Sequence, residues 1–597
     1  MGGAPAAEAA DVPAPRAAAD RGAGEVTFSR TMRLASRLGL SALSAALMVL
    51  SVPTFDWWPL MWVALIPALH VSLTATTPRR AFLQGWFTGV LANTVAFFWM
   101  KGLLERFGHM PAIQAIPIMM LLTTYQGLEF GLWSWGVHRL HRQRPDLSLA
   151  WVAPLVMVVI ELVVPQIFPF YLAISQAWVP AVIQMADLTG PMGVSFVMVM
   201  VTGALYQAGR ALTATATATT ATTATTAISP RHLAGLAGRR LAVPAAVLAC
   251  VLLYGGLRIH QVDARRAAAP KAKVGIVQAN VGINEKWDPR ESARLLALHQ
   301  QQSADLALRG ADLVVWPESS YPYALPRDLA ADLPLGDTRR VRRDFQTPLL
   351  FGAVTLAPEP RTGKARFPYN TALMMDGAGR ITGTFDKVFL LIFGEYIPFY
   401  EHIPWFTDVF PDASNFNRGD RPAVFPLRVG ANDFRVGPLI CYEDILPGFS
   451  RQVAALEPNL FVNITNDAWF GKTAEPYQHL ALAVFRSVEH RLEMVRAVNT
   501  GVSAHIDAVG RVRASGPAVD PDTVPPPEPV ALLAEVSLLE RGGLYGHVGD
   551  LFAYLCLGLV TWLVGIPRGL RRRWGKGRVP GRQRASKPAV SRHSDFD

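Results

Sequence analysis

The sequence predicts a polytopic α-helical membrane bundle joined to an α/β layered domain. Two observations carry that expectation. Of 597 residues, 51% are hydrophobic and only 17% charged, whereas a soluble globular chain carries about 25% charged residues. The apolar runs are also segregated. They crowd the first 260 residues, while 270–545 alternate short β-branched runs with helical patterns, as an ordinary soluble domain does.

From the N-terminus, residues 1–28 are rich in Ala, Pro, Gly and acidic residues and lack an apolar period. They read as a disordered tail rather than a signal peptide, which needs an apolar stretch after a short basic start. Eight stretches then approach the roughly 20 apolar residues that a bilayer span needs: 34–53, 56–75, 82–103, 112–137, 150–170, 186–208, 242–258 and 548–567. Seven fall in a membrane domain over 29–260 and the eighth in a C-terminal helix over 546–568, followed by a basic tail over 569–597. The sixth stretch is interrupted by Gly190, Pro191 and Gly193, and the seventh is short. The Ala/Thr repeat at 211–228 has no side chains able to build a core and reads as a linker.

Basic residues orient this bundle. Arg30, Arg33 and Arg37 precede the first stretch, and Arg79 and Arg80 follow the second. Arg139, Arg142 and Arg144 follow the fourth, Arg210, Arg231, Arg239 and Arg240 lie between the sixth and seventh, and Arg568 and Arg571 follow the eighth. With eight spans all of these are cytoplasmic, both chain ends with them, and 270–545 lies on the opposite side. Lys101 and Arg106, between the third and fourth stretches, are the exception. The net charge of +11 is thus a charge of span ends and tail, and nucleic acid is excluded as a partner.

In the soluble part, strands are expected at 272–279, 312–316, 348–354, 371–376, 380–386, 433–440, 459–464 and 503–508, with helices at 290–309 and 475–496. Three strings there carry chemistry. Trp316-Pro317-Glu318-Ser319 puts a carboxylate at the end of an apolar strand, an expensive place unless it is paired or working. Phe385-Asp386-Lys387 precedes an apolar run and then Gly394-Glu395-Tyr396. Gly437 to Glu443 ends a strand in Cys441, followed by Tyr442 and Glu443; a strand-to-helix elbow exposes a nucleophile and aims backbone N–H groups at an oxyanion. Taken singly, each string fits a bland reading: a turn glutamate, a solvated lysine, a core thiol. Taken as an ordered set, each at the end of its own strand, they form a base, a cation and a nucleophile. Of the three cysteines, Cys250 and Cys556 lie in apolar runs. No ligand spacing supports a zinc site or a disulfide framework, so neither metal nor cofactor is expected.

The order of these strings, continued by Asn463-Ile464-Thr465-Asn466-Asp467-Ala468-Trp469-Phe470-Gly471, resembles the nitrilase superfamily. With a polytopic N-terminal half and one C-terminal span, the chain is similar to the bacterial apolipoprotein N-acyltransferases over about 34–567. The resemblance implies an αββα sandwich on a membrane bundle. It implies Glu318 as general base, Lys387 as oxyanion stabiliser and Cys441 as nucleophile, with Glu395, Tyr442, Glu443, Trp287 and Trp469 in supporting positions. It also implies a reaction: an acyl chain passes from a membrane phospholipid, through a thioester on the cysteine, to the α-amino group of a lipoprotein's diacylglyceryl-cysteine. The place implied is the bacterial inner membrane, with the catalytic domain periplasmic. Phe389 and Ile392 depart from the family, which usually has a basic residue and a proline in that run, and this bears on loop rigidity and acyl-chain preference. The aromatic segment 388–410 is too apolar for a water-exposed loop and is expected to meet lipid. Two other readings fit the same triad or bundle: a membrane-tethered nitrilase-type hydrolase with water as acceptor, and a silent lipid- or lipoprotein-binding protein.

Overall fold

Apolar runs punctuated by glycine and proline build the first half. The computed structural model describes residues 17–106, 108–221, 230–357, 368–392, 394–396, 416–520, 523, 525 and 527–565. Among these residues three helices are long and apolar enough to cross a bilayer, within Met32–Ser51, Pro191–Thr213 and Arg240–Ala268. The pair Pro78–Ala96 and Trp99–Arg106, bent by 55°, makes a fourth, and Trp58–Leu73, Leu149–Val163 and Leu551–Gly565 are shorter apolar helices. Where about eight spans were expected, the described residues hold this set. The stretch 56–75 breaks at Leu65, 82–103 at Phe97 and Phe98, and 112–137 at Gly127. Gly127 marks a close crossing: a Cβ there would lie 2.7 Å from the Val90 backbone nitrogen, and one on Gly89 would lie 2.5 Å from the Gly127 carbonyl oxygen. Small residues at such crossings let helix backbones touch.

Other expectations also change. The N-terminal helix begins at Ala17, so 17–28 is helical where a disordered tail was expected; residues 1–16 lie outside the described residues. The helix Pro191–Ala221 runs into the Ala/Thr segment, because alanine is the strongest helix former and threonine costs little. Of the expected linker, only 222–228 lie outside the described residues, as does the basic tail. In the sixth stretch, Gly190 at φ +66° separates the short helix Ala186–Thr189 from Pro191 onward.

The second half is two sheets packed face to face. One holds β1 (Lys271–Gln278), β2 (Leu313–Val315), β3 (Tyr321–Pro326), β4 (Leu349–Leu356), β5 (Pro368–Met375), β6 (Ile381–Asp386) and β13 (Val530–Ser537), in the order β13-β1-β2-β4-β5-β6 with β3 beside β4. The other holds β7 (Phe425–Val429), β8 (Asn432–Ile440), β9 (Leu460–Thr465), β10 (Met494–Val498), β11 (Ala504–Ile506) and β12 (Val512–Ser515), in the order β12-β11-β10-β9-β8-β7. Side chains alternate across each strand. Val274 and Ile276 of β1 therefore join Val436, Val462 and Ile464 of the other sheet in one core. Val277 faces outward with Leu296 and Leu306 of the helix Ser292–Leu308. The helix Glu475–His490 covers the other sheet. It stops short of the expected residue 496 because Arg491 takes a left-handed φ of +56° and turns the chain into β10.

Polar contacts fasten the domain to the bundle. Asp187 accepts hydrogen bonds from the Tyr254 hydroxyl (2.6 Å), Arg258 Nε (2.8 Å) and Arg491 Nε (3.0 Å). Trp99 Nε1 donates to Gln478 Oε1 (3.2 Å), and Gln478 Nε2 donates to the Ala96 carbonyl (3.0 Å). Arg106, an exception to the basic-residue pattern, donates to the Phe470 carbonyl at 2.6 Å. Lys101, the other exception, pairs with Glu105 at 2.7 Å. Both charges on this side of the bundle are therefore engaged. Gly471 follows with φ +61°, and a Cβ there would lie 2.2 Å from Arg106 Nη1.

Candidate active site

Three strand ends converge. Glu318 follows β2, Lys387 follows β6 and Cys441 follows β8. Lys387 is fully buried, and its Nζ lies 3.1 Å from Glu318 Oε1 and 2.8 Å from Glu395 Oε2. Asn370 in β5 donates through one Nδ2 to both carboxylates, at 2.7 Å to Glu318 and 2.8 Å to Glu395. One ammonium and one amide thus hold two acids that would otherwise repel. Burial alone would depress the Lys387 ammonium; the Glu318 and Glu395 charges more than offset it and hold its pKa well above the ordinary lysine value. Lys387 is therefore a fixed cation. The turn that presents Glu318 is tight: Ser319 has φ +47°, and a Cβ on Gly352 of β4 would lie 2.4 Å from the Ser319 nitrogen and 2.7 Å from the Glu318 Cα. Only a glycine lets the backbones pass so closely.

Cys441 stands at a sharp elbow, with φ +51°, at the head of the short 3₁₀ helix Cys441–Ile445. A non-glycine residue in this left-handed region is strained. Its surroundings enforce it. Asn463 of β9 donates to the Leu439 and Cys441 carbonyls (3.3 and 3.2 Å). The buried Glu443 carboxylate accepts from the backbone nitrogens of Ile440 (2.8 Å), Val388 (2.7 Å) and Phe389 (3.1 Å). Glu443 therefore ties the elbow to the loop after Lys387. Burial pushes its pKa up to about 8 against the pull of those three donors. Burial and then the Glu318 charge push the Cys441 thiol well above its ordinary value, and Lys387 opposes them. A thiol held protonated is a poor nucleophile until a base removes its proton.

Behind the elbow lies a second charged cluster. His479 Nε2 is 2.7 Å from Asp444 Oδ1, its Nδ1 is 3.4 Å from Asp467 Oδ1 and 3.7 Å from Glu475 Oε1, and Arg496 pairs with Asp444. Asp467, Glu475 and His479 are the one group among the described residues spaced to ligate a metal. Burial opposes protonation of His479, but Asp444 and Asp467 push its pKa up to about 10 despite Arg496. The imidazolium itself supplies the positive charge these acids require.

The supporting residues separate into two groups. Glu395 and Glu443 touch the reacting set. Tyr442 leads away from it: its hydroxyl donates to the Ile167 carbonyl of the bundle at 2.7 Å, and its ring meets Phe168 edge-on. Trp469 packs in an aromatic cluster with Phe97, Trp99 and Phe470. Trp287 is 52% exposed at the rim. The apolar segment 388–410 begins on the core and not on lipid: Val388 is buried and Phe389 lies 5.2 Å from Phe449 between ring centres. Ile392 is more exposed, and 393 and 397–410 lie outside the described residues. Sequence reasoning gave no role to Asn370, Asp444 or Lys286, nor to Asn463 within its string; Asn370 and Asn463 lie inside strands, Asp444 in the 3₁₀ helix and Lys286 at the end of the short helix Ile283–Lys286. Asn370 was one residue outside the expected strand.

Residues 273–524 match the carbon-nitrogen hydrolase family and residues 44–204 match the apolipoprotein N-acyltransferase N-terminal domain. An amidase from Nesterenkonia sp. resembles the chain in structure over 51% of this chain and 96% of its own, at 19% identity and TM-score 0.31. The two family matches, not that distant likeness, set the class: a carbon-nitrogen hydrolase α/β domain carried by an apolar helical bundle. The apolipoprotein N-acyltransferase of Geobacter metallireducens is 30% identical over 528 residues, covering 87% of this chain and 92% of its own. That of Azotobacter vinelandii is 33% identical over 485 residues, 79% of this chain and 85% of its own. The chain belongs to the apolipoprotein N-acyltransferase family and is an acyltransferase.

Proposed function

We propose that this protein moves an acyl chain from a membrane phospholipid to the α-amino group of a lipoprotein's N-terminal diacylglyceryl-cysteine, in two steps through a thioester on Cys441. The observation that carries this reading is the Lys387 ammonium held between Glu318 and Glu395, within electrostatic range of a strained cysteine elbow. Glu318 takes the thiol proton, and the thiolate attacks the ester carbonyl carbon. Lys387 faces the oxyanion, where a preorganised charge lowers the barrier most. The lysophospholipid oxygen leaves with the proton from Glu318. The acceptor nitrogen then attacks the thioester, gives a proton to Glu318, and the departing sulfur takes it back. Asn370 and Glu395 keep Lys387 in place throughout.

The bundle over 29–260, the catalytic domain over 270–545 and the last helix over 546–568 would place the site on the periplasmic face of the inner membrane, with both chain ends cytoplasmic. The basic-residue pattern and the engagement of Lys101 and Arg106 support that orientation. Trp287 and Trp469 would flank the substrate path.

Mass spectrometry of the protein after incubation with phospholipid vesicles tests the reading. Wild type accumulates an acyl adduct on Cys441, and Cys441→Ala does not. A diacylglyceryl-cysteine peptide discharges the adduct to a triacylated product. Discharge to free fatty acid alone would establish the hydrolase instead, and full transfer by Cys441→Ala would defeat the thioester.

A further inference from the structure

A second lysine stands at the site and the two-step scheme leaves it idle. Lys286 ends the short helix Ile283–Lys286. Its Nζ donates to the Glu318 backbone carbonyl at 2.8 Å and lies 5.7 Å from the centre of the Trp287 ring at the rim. It also lines a small cleft with Val281, His299, Ser319, Ser320 and Asn499. The ionisable groups facing it are Glu318, Cys441 and His299. His299 Nδ1 donates to the Leu295 carbonyl at 2.8 Å, so its Nε2 carries a lone pair, and burial pulls its pKa down to about 4. His299 is therefore neutral. On the helix itself, Glu285 is engaged by Arg294, and beyond it Asp288 is engaged by Arg290.

Proton counting gives this lysine work. An α-amino group has a pKa of about 8, so the acceptor reaches the site largely as an ammonium, with no lone pair to attack a thioester. One proton must leave before the attack and a second as the N–C bond forms. Glu318 takes one and returns it to the Cys441 sulfur. One proton per turnover remains.

We infer that Lys286, in its neutral form, takes the first proton from the acceptor's α-ammonium and then releases it to solvent beside Trp287, leaving Glu318 free for the second. This inference rests on the thioester reading above. The transfer balances: R–NH₃⁺ and Lys286–NH₂ become R–NH₂ and Lys286–NH₃⁺, and the lysine then loses H⁺ to water. Burial brings Lys286 down to about 8, against the raising charges of Glu318 and Cys441. That brings it near the operating pH, where a general base works best, with a share of the lysine neutral. The fixed cation Lys387 cannot serve, because its two carboxylates hold its proton.

The test separates three readouts in Lys286→Met and Lys286→Arg: thioester formation from phospholipid, discharge by hydroxylamine, and discharge by a diacylglyceryl-cysteine peptide. Hydroxylamine is already neutral at pH 7 and needs no base for its first proton. Both variants are expected to form the adduct, and to lose it to hydroxylamine, within about 3-fold of wild type, while peptide discharge at pH 7 slows by at least about 10-fold. That gap should close toward pH 9.5, where the peptide amine is neutral in solution. Lys286→Arg keeps a donor for the Glu318 carbonyl but cannot become neutral, so wild-type peptide discharge in that variant would overturn the inference. Equal slowing of all three readouts would also overturn it, reducing Lys286 to a prop for Glu318. Absence of any adduct in wild type would overturn the thioester reading and this inference with it.

Discussion

Two buried ionic clusters do opposite jobs in this molecule. At the bundle–domain joint, Asp187 is gripped by two guanidinium groups and a tyrosine hydroxyl. At the active site, Glu318 and Glu395 share one ammonium and one amide. Arginine stays charged under all ordinary conditions and offers a rigid fork of donors, whereas lysine, glutamate and cysteine exchange protons. The joint is thus built from groups that hold, and the site from groups whose charge depends on their neighbours. Their burial is similar, so the difference lies in residue type.

The comparison can be broken most directly at Glu318. Glu318→Gln keeps shape and loses the proton acceptor. Acyl transfer is expected to fall by about 10²–10⁴-fold with little change in the melting temperature; a variant within a few-fold of wild type would remove Glu318 from the base role. Asp187→Ala should do the reverse. It leaves Arg491 and Arg258 without their carboxylate, which typically costs about 3–5 kcal/mol. Thermal unfolding in detergent should report a clear loss, while turnover per folded molecule stays near wild type. Turnover falling in step with Glu318→Gln would show that the two clusters are not separable.

Gly471→Ala sharpens the joint further. A left-handed alanine costs about 1–2 kcal/mol, and its Cβ would displace Arg106 from the Phe470 carbonyl, so a modest drop in stability is expected, again read by thermal unfolding. The remaining effect depends on pH and belongs to His479. Its folded pKa of about 10 lies above its unfolded value near 6.5. Its stabilisation is therefore fully present below pH 6.5 and is lost as pH rises through 10. Denaturant midpoints should decline across that window, and the decline should be shallower in His479→Gln. A wild-type midpoint flat from pH 6.5 to above 10 would mean that His479 does not carry the proton.

Much of the site was legible because its residues sit where strand patterns end. Glu318 and Cys441 each follow an apolar run and Lys387 precedes one, and that pattern survives in one dimension. Asn370 was not legible, nor was the role of Asn463 within its string. An amide inside a strand has no periodic signature, and each becomes functional only through pairings between strands far apart in sequence. The strands at 321–326, 425–429, 494–498, 512–515 and 530–537 were also missed; several mix polar or proline residues at sheet edges, such as Pro426, and 494–498 hid inside an expected helix. The breaks within the apolar stretches were hidden for a related reason. Hydropathy averages over about 20 residues, whereas Gly127 and the bend after Ala96 are single-residue events.

The Tyr442 hydroxyl on the Ile167 carbonyl has a bearing on how the molecule is born. Chains emerge N-terminus first, at about 5–20 residues per second. Ile167, with Trp99, Arg106 and Asp187, therefore exists well before residue 441 leaves the ribosome. The neighbour of Cys441 meets a surface synthesised before it, and the last helix, Leu551–Gly565, is made after both. The elbow is thus the late-arriving part, shaped in part by what was synthesised first. A gene fragment starting at residue 270 would produce the strands without the mould.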